Sequence, residues 1–315
     1  MRTLELRDVW VRYGAGKQAF DAVAAADLVV PAGKVVGLVG ESGSGKSTLA
    51  RVAAGLVRPS RGQVLLDGVP AGRRRGDRRV QMVFQDPQSA LDPRMTVGQS
   101  LGEALTVRAR EARQAATERL LLQVGLDPAC ARQRPHSLSG GQRQRVALAR
   151  ALAAEPEVVV ADEITSALDV SVQGAVLNEV RDLQCELGLT MLFISHDLAV
   201  VRYISDLVAV MYLGRVVEVG ATEEILARPR HPYTQALVAG AAAPAVLDGD
   251  PPDPRYPPGG CSFHPRCPAG PRLHPGRDLC QESDPHPGAP ARPHRSACHF
   301  AELMPMTYDG STYAD

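Results

Sequence analysis

The sequence predicts an α/β fold: a largely parallel sheet joined to an antiparallel β subdomain, a helical subdomain and an irregular C-terminal extension rich in cysteine and proline. Three observations predict it. An apolar run, Val35-Val36-Gly37-Leu38-Val39, passes through a glycine-rich stretch directly into a helix-forming segment, the order of a buried strand feeding a helix. Two further apolar runs, at 157–161 and 190–194, end in Asp162-Glu163 and Ser195-His196-Asp197, which puts polar groups at the carboxyl edge of an open sheet, where ligands bind. Composition turns helical and polar from about 86 to 154, and proline-rich after about 245.

In chain order, residues 3–13 alternate Leu4, Leu6, Val9 and Val11 with Glu5, Arg7, Asp8 and Arg12, as an antiparallel strand with one wet face does. A second strand near 22–30 ends at the turn Pro31-Ala32-Gly33. Gly40-Glu41-Ser42-Gly43-Ser44-Gly45-Lys46-Ser47 then fits G-x-x-x-x-G-K-[ST], the phosphate-binding loop. Its glycines let successive N–H groups converge on one point, and the helix that follows presents its positive dipole end there. Lys46 is placed to reach the β- and γ-phosphates, and the Ser47 hydroxyl to ligate Mg²⁺. The chain has only three lysines, so its composition would produce this pattern by chance in roughly 2 of 1,000 such sequences. The loop therefore predicts nucleoside triphosphate binding.

A helix over 46–57 carries Leu49, Val52, Ala53 and Leu56 at helical spacing, and Arg58-Pro59-Ser60-Arg61-Gly62 breaks it. Strands follow at 63–66 and 80–84. The basic cluster at 73–79 reads as a solvated hairpin tip, since no aromatic residues interleave with it. Residues 97–105 and 111–124 are amphipathic helices, and Ser139 stands as an N-cap before Gly140-Gly141 and a helix to 154. In the pair Asp162-Glu163, one carboxylate suits Mg²⁺ and the other can polarise an attacking water. A long helix over 169–187 precedes the strand that brings His196 to the same sheet edge. A hairpin about Gly214 and a helix over 223–227 close the domain.

Lys+Arg and Asp+Glu balance at 35 each, so no global field argues for nucleic acid or anionic lipid. No apolar run approaches the ~20 residues of a membrane span, and the first residues lack the pattern of a signal peptide, so a cytosolic protein is expected. Residues 244–293 hold fourteen of the 25 prolines, which excludes continuous helix or sheet there. Four of the six cysteines, Cys261, Cys267, Cys280 and Cys298, fall in this region at C-x5-C-x12-C-x17-C spacing. Four soft ligands there suggest a staple, either an Fe–S cluster or Zn²⁺, against the alternative of four reduced thiols in a loose tail. Cys130 and Cys185 are expected to be packing residues.

Together these motifs resemble the ATP-binding subunits of ABC transporters. The residues are Gly40 to Ser47 (phosphate loop), Phe84-Gln85-Asp86-Pro87 (Q-loop), Leu138-Ser139-Gly140-Gly141-Gln142 (signature), Asp162 and Glu163 (Walker B), Ser166-Ala167-Leu168-Asp169 (D-loop) and His196 (switch). More narrowly, the stretch from Val39 to Arg51, Asp92-Pro93-Arg94-Met95-Thr96-Val97, His231-Pro232-Tyr233-Thr234 and Gly260-Cys261-Ser262-Phe263-His264-Pro265-Arg266-Cys267-Pro268 resemble the oligopeptide/dipeptide/nickel importer branch. The resemblance runs from about residue 3 to 300. It implies a P-loop NTPase core over 1–244 with a helical subdomain at about 86–154 and a Pro/Cys-rich extension over 245–300; residues 301–315, beyond the resemblance, are expected to be a disordered tail.

It further implies that Tyr13 stacks on adenine and that Gly40, Glu41, Ser42, Gly43, Ser44, Gly45, Lys46, Ser47 and Thr48 hold the phosphates. Ser47, Gln85 and Asp162 serve Mg²⁺, Gln85 senses the γ-phosphate, Glu163 is the general base and His196 holds the γ-phosphate. Ser139, Gly140, Gly141 and Gln142 act on the ATP of an opposing subunit. The implied assembly is a pair of ATPase subunits, this chain with a copy of itself or with a homologous partner, on two separate membrane permeases at the cytoplasmic face, served indirectly by an extracytoplasmic solute-binding protein, with no nucleic acid. The implied cargo is peptide, or nickel or a related small solute. Two departures stand out. Ile164 replaces the usual proline after the catalytic acid, implying a looser turn, and the Cys267–Cys280 gap is long, so that His264 or His299 could replace a thiolate. An ABC-type ATPase of DNA or ribosomes is the first rival, and the chain lacks the long coiled-coil insertion or tandem ATPase domain of that class. A regulatory half-site without turnover is the second, against which Glu163, His196 and the signature argue.

Overall fold

The computed structural model describes residues 1–71, 77–86, 90–166, 169–240, 250–286 and 293–303. β1 (Leu4–Tyr13) pairs antiparallel with β2 (Phe20–Val30) and with β4 (Arg61–Leu66), and the short β5 (Val69–Pro70) completes a four-stranded sheet in the order β2-β1-β4-β5. The second sheet is built around β3 (Val35–Val39). It lies between β8 (Thr190–Ile194) and β9 (Leu207–Tyr212), and β7 (Val158–Asp162) and β6 (Val80–Val83) follow beyond β8, all parallel. β10 (Arg215–Ala221) returns antiparallel beside β9, and β11 (Arg295–Ser296) adds to its outer edge, giving the order β11-β10-β9-β3-β8-β7-β6.

Every residue of β3, β7 and β8 is buried, which is why these strands read as continuous apolar runs instead of alternating ones. Alternate side chains enter different cores. Val158 and Val160 join Val36 and Leu38 beneath the antiparallel sheet and α1 (Lys46–Ala53). Val159 and Ala161 pack on the opposite face with the helical region, formed by α2 (Val97–Ala104), α3 (Arg110–Gln123), α4 (Gly140–Leu152) and α5 (Val170–Leu187). With both faces covered, the carboxyl edge is the part of the parallel sheet left for ligand.

A third apolar cluster joins Val39, Val210, Tyr212 and Tyr233 to Phe263 and Ala297, so the C-terminal extension packs directly on the sheet beside the phosphate loop. Two helices escape the periodicity argument. α6 (Leu198–Ile204) is short, and its cap is Asp197, whose carboxylate accepts from Ala199 and Val200 N–H. α7 (Thr222–Ala227) is followed by α8 (Pro232–Gly240), which opens on proline, tolerated at a first turn that needs no N–H partner. The helix expected over 46–57 ends at Ala53, because Gly55 turns into the left-handed region at φ 71°.

Cys130 is buried as expected; Cys185 is exposed, on the outer face of α5, and is not a packing residue. Part of the basic cluster (73–76), Pro87, the D-loop residues Ala167 and Leu168, the 244/245 boundary and the tail from 304 onward lie outside the described residues, while Ala301–Leu303, expected to be disordered, form a short 3-10 turn. Among the described residues no helix is long and apolar enough to cross a membrane.

Candidate functional site

The phosphate loop leaves β3 at Gly40 and enters α1 at Lys46. A Cβ on Gly40 would lie 2.1 Å from the Met211 carbonyl oxygen, and one on Gly45, at φ 103°, would lie 2.4 Å from the Ala22 carbonyl oxygen. Neighbouring backbone thus forbids side chains at both ends of the loop. Gly43 is different: its φ is 77° and a Cβ would meet nothing within 4 Å, so glycine is there for backbone shape. The Gly214 N–H holds the Ser44 carbonyl at 2.8 Å, tying the loop to the β9–β10 hairpin. Lys46 is 5% exposed, and its Nζ lies 2.8 Å from both the Gly40 and Glu41 carbonyls. Burial pushes its pKa down, against the charges of Glu163, Asp162 and Glu41.

At the tip of β7 the Ser47 hydroxyl donates to Asp162 Oδ1 at 3.1 Å. Burial pushes the Asp162 carboxyl up, opposed by that hydrogen bond. A hydroxyl and a carboxylate side by side are a donor set that suits a hard cation such as Mg²⁺. The polyanion it accompanies would also compensate Lys46.

Glu163 follows at φ 46°, a strained conformation for a non-glycine residue, held by its N–H to the Ile194 carbonyl at 3.0 Å. Its Oε2 accepts from Gln85 Nε2 at 3.0 Å, and its Oε1 lies 3.5 Å from His196 Nδ1. Gln85 also donates to Ser166 Oγ at 3.2 Å, and that hydroxyl returns to the Glu163 carbonyl at 2.9 Å. Gln85 therefore braces the acid, with no hydrogen bond to Ser47 or Asp162 among the described residues. The looser turn expected at Ile164 is countered by packing: Ile164 is 2% exposed, in the core beneath the helices.

Thr48 lies on the first turn of α1, and Tyr13 ends β1 with its ring 37% exposed and 6.1 Å from Phe20. The signature residues form a capping box. Ser139 Oγ accepts from the Gln142 N–H at 3.2 Å, and Gln142 Oε1 accepts from the Ser139 N–H at 2.9 Å. Gly140 and Gly141 open α4, and a Cβ at Gly141 would lie 2.7 Å from Val172 Cγ1. These capping bonds stay within the signature turn and reach neither the phosphate loop nor the acid pair of the same chain.

Cys261, Cys267, Cys280 and Cys298 line one small cavity with His231, His264 and His299. Burial pushes the Cys261 thiol up to about 12 and Cys298 to about 11, and raises Cys267 and Cys280 as well. The nearby backbone N–H groups of Phe263, Ala269 and Phe300 oppose that rise at Cys261, Cys267 and Cys298. Among the described residues no group of three or more His, Cys, Asp or Glu stands ready to hold a metal ion. The imidazoles of His264 and His299 are engaged by the Cys261 and Ser283 carbonyls at 3.0 and 2.9 Å.

One contact has no local signal in the sequence: Arg266, 225 residues away, pairs with Glu41 of the phosphate loop, and Tyr233 receives the Glu41 N–H.

A phosphate loop, a braced acid and an imidazole at the edge of a two-sheet α/β core, with a separate glycine-led helix start, define an ATP-binding cassette. Residues 23–166 match the ABC transporter family, and residues 217–271 match the oligopeptide/dipeptide transporter C-terminal region. The oligopeptide transport ATP-binding protein AppF of Bacillus subtilis is 42% identical over 94% of this chain and 97% of its own length. OppF of Escherichia coli, also an oligopeptide transport ATP-binding protein, is 43% identical over 90% of this chain and 94% of its own. The solved dimer of the ATP-binding cassette MJ0796, in a post-hydrolysis state bound to ADP and Pi, superposes with a TM-score of 0.62 at 28% identity. It covers 70% of this chain and 98% of that one. The chain belongs to the ATP-hydrolysing, ATP-binding subunits of ABC transporters, in the branch with the oligopeptide/dipeptide C-terminal region.

Proposed function

We propose that this chain powers the uptake of peptides, working as one of two ATPase subunits on two separate membrane permeases at the cytoplasmic face, with an extracytoplasmic solute-binding protein delivering the cargo. Nickel or a related small solute is the alternative cargo. The observation that carries the motor reading is the continuous contact from Ser47 through Asp162 and Glu163 to Gln85 and His196 on one rim. The peptide cargo is supported by AppF and OppF, both oligopeptide transport ATP-binding proteins.

In this reading the loop N–H groups and Lys46 bind the β- and γ-phosphates, Tyr13 carries the adenine, and Ser47, Asp162 and Gln85 hold Mg²⁺. Mg²⁺, when bound, screens the charge that builds on the phosphate oxygens. Glu163, oriented by Gln85, takes a proton from the attacking water as its oxygen bonds to the γ-phosphorus. The bond to the bridging oxygen breaks, and ADP and phosphate result. His196 supports the γ-phosphate. Ser139, Gly140, Gly141 and Gln142 close over the nucleotide of the opposing subunit, which accounts for a helix N-terminus whose side chains serve no site of their own chain. Two nucleotides are then enclosed between two subunits, and closure followed by hydrolysis drives transport.

Glu163→Gln keeps the shape and removes the base. Turnover is expected to fall roughly 100-fold or more while ATP binding persists and trapped pairs accumulate, as read by phosphate release and size exclusion. An unchanged hydrolysis rate would remove Glu163 from this role.

The four thiols of the extension are proposed to hold an Fe–S cluster or Zn²⁺. Four cysteines lining one cavity, Cys280 buried and the other three half-buried, suit thiolate ligation, which would release them from the raised pKa that burial imposes.

A further inference from the structure

Glu41 is an acid inside a loop built for anions, and its charge is felt at Lys46. The extension deals with this acid directly. Arg266 Nη1 and Nη2 donate to Glu41 Oε2 and Oε1 at 3.0 and 3.2 Å, a two-pronged pair between side chains 7% and 24% exposed. The guanidinium lies 5.9 Å from the Tyr212 ring and 3.4 Å from its hydroxyl. Tyr212, Tyr233 and Phe263 pack against one another at centroid distances of 4.6, 5.2 and 5.4 Å, forming a rigid wall behind it. The backbone of Glu41 is fixed as well, its N–H donating to the Tyr233 hydroxyl at 2.8 Å and its carbonyl accepting from Lys46 at 2.8 Å. Arg266 itself sits in a tight turn, with His264 N–H on the Cys261 carbonyl at 3.0 Å and Arg266 N–H on the Phe263 carbonyl at 3.0 Å.

We propose that Arg266 is a positioning residue of the ATP site: acting through Glu41, it neutralises a loop carboxylate beside the triphosphate and fixes the carbonyl on which Lys46 rests. The C-terminal extension thereby sets nucleotide affinity. The inference rests on reading residues 40–47 as the ATP loop and goes beyond it, because no part of the loop motif calls for a distant arginine. Without Arg266 a partly buried carboxylate faces an arriving polyanion uncompensated. Removing that carboxylate as well should undo most of the harm.

The test is a double-mutant cycle on the full chain, read by titration with a fluorescent ATP analogue and Mg²⁺. Arg266→Met is expected to weaken binding about 10-fold, or ~1.4 kcal/mol, and to raise KM for ATP with kcat changed less than about twofold. Adding Glu41→Gln should recover most of that loss, an outcome that simple misfolding would not produce. Arg266→Lys, which keeps the charge but not the fork, should lose about 3-fold and carries the same comparison if the methionine variant does not fold. Wild-type affinity in both Arg266 variants, or a loss that Glu41→Gln leaves untouched, overturns the proposal. Lys46→Ala is the control for the loop itself: full binding there would defeat the ATP reading, by a route distinct from a wild-type-like Arg266 variant.

Discussion

His294 shows how one imidazole can fasten the extension to the ATPase core. Its Nε2 lies 2.7 Å from Glu218 Oε1 and its Nδ1 2.9 Å from Glu224 Oε1, with the ring 3% exposed. Glu218 also accepts the backbone N–H groups of Arg230 and His231, at 2.7 and 2.9 Å. Burial alone would lower the His294 pKa, but the hydrogen bond to Glu218 and the close Glu224 carboxylate outweigh burial and the nearby Arg230 charge, so the net shift is upward from 6.5. The same contact holds Glu224 below its ordinary value. An imidazole with a raised folded pKa contributes stability that is full below about 6.5 and is lost as pH rises through the folded pKa. Glu224, with its lowered pKa, contributes above about 4.5 and loses its share as pH falls through the folded value. The clamp is thus strongest on the mildly acidic side of neutrality. His294→Gln is expected to lower the melting temperature most at pH 6, and the gap from wild type should narrow towards pH 9. A gap that stays constant between those pH values would show that the clamp is not ionic.

At the scale of elements, α4 joins a structural task to a functional one. The Ser139–Gln142 capping box satisfies N–H groups at the helix start, and Ser139→Ala should lower unfolding free energy by about 1 kcal/mol. If the same hydroxyl also serves the opposing nucleotide, turnover should fall far more than this loss of stability explains. A turnover loss matching only the drop in folded fraction would leave Ser139 as a cap and nothing else.

Elements with strong local patterns were legible in the sequence: the apolar runs of β3, β7 and β8, the alternation of β1, and the glycine-led loop. α6 was not, because seven residues, nearly all apolar, give no periodic contrast. β11 was not either, because two residues in a proline-rich stretch become a strand only when Arg295 and Ser296 meet Val219 and Glu218. Cys185 failed for a related reason: its neighbours in sequence are helical, and only packing decides which face of α5 looks outward.

Across the whole molecule, the extension behaves as part of the nucleotide-binding body. Phe263 and Ala297 share a core with Val39 and Tyr212, and the cysteines, spread over 261–298, face one cavity. The bridge from β11 to β10 and the pair Arg215–Asp284, at 2.6 Å, hold it on the same side. Protein purified anaerobically should contain either iron and sulfide with visible absorbance or about one zinc per four thiols, and removing the metal should lower the melting temperature. Neither metal above trace amounts would leave four reduced thiols.

The chemistry was written locally, so the sequence by itself determined it: glycines where the backbone must curl, a lysine and serine at a helix start, acids and an imidazole just past apolar runs. Each of those signals spans fewer than about ten residues and depends on backbone geometry that neighbours impose. Only the tertiary structure decided that Gln85 braces Glu163, that Ile164 is anchored by the helical core, and that Arg266 reaches Glu41. Such pairings bring together residues far apart in the chain, and they are fixed by how sheets, helices and extension pack, a property that no local pattern encodes.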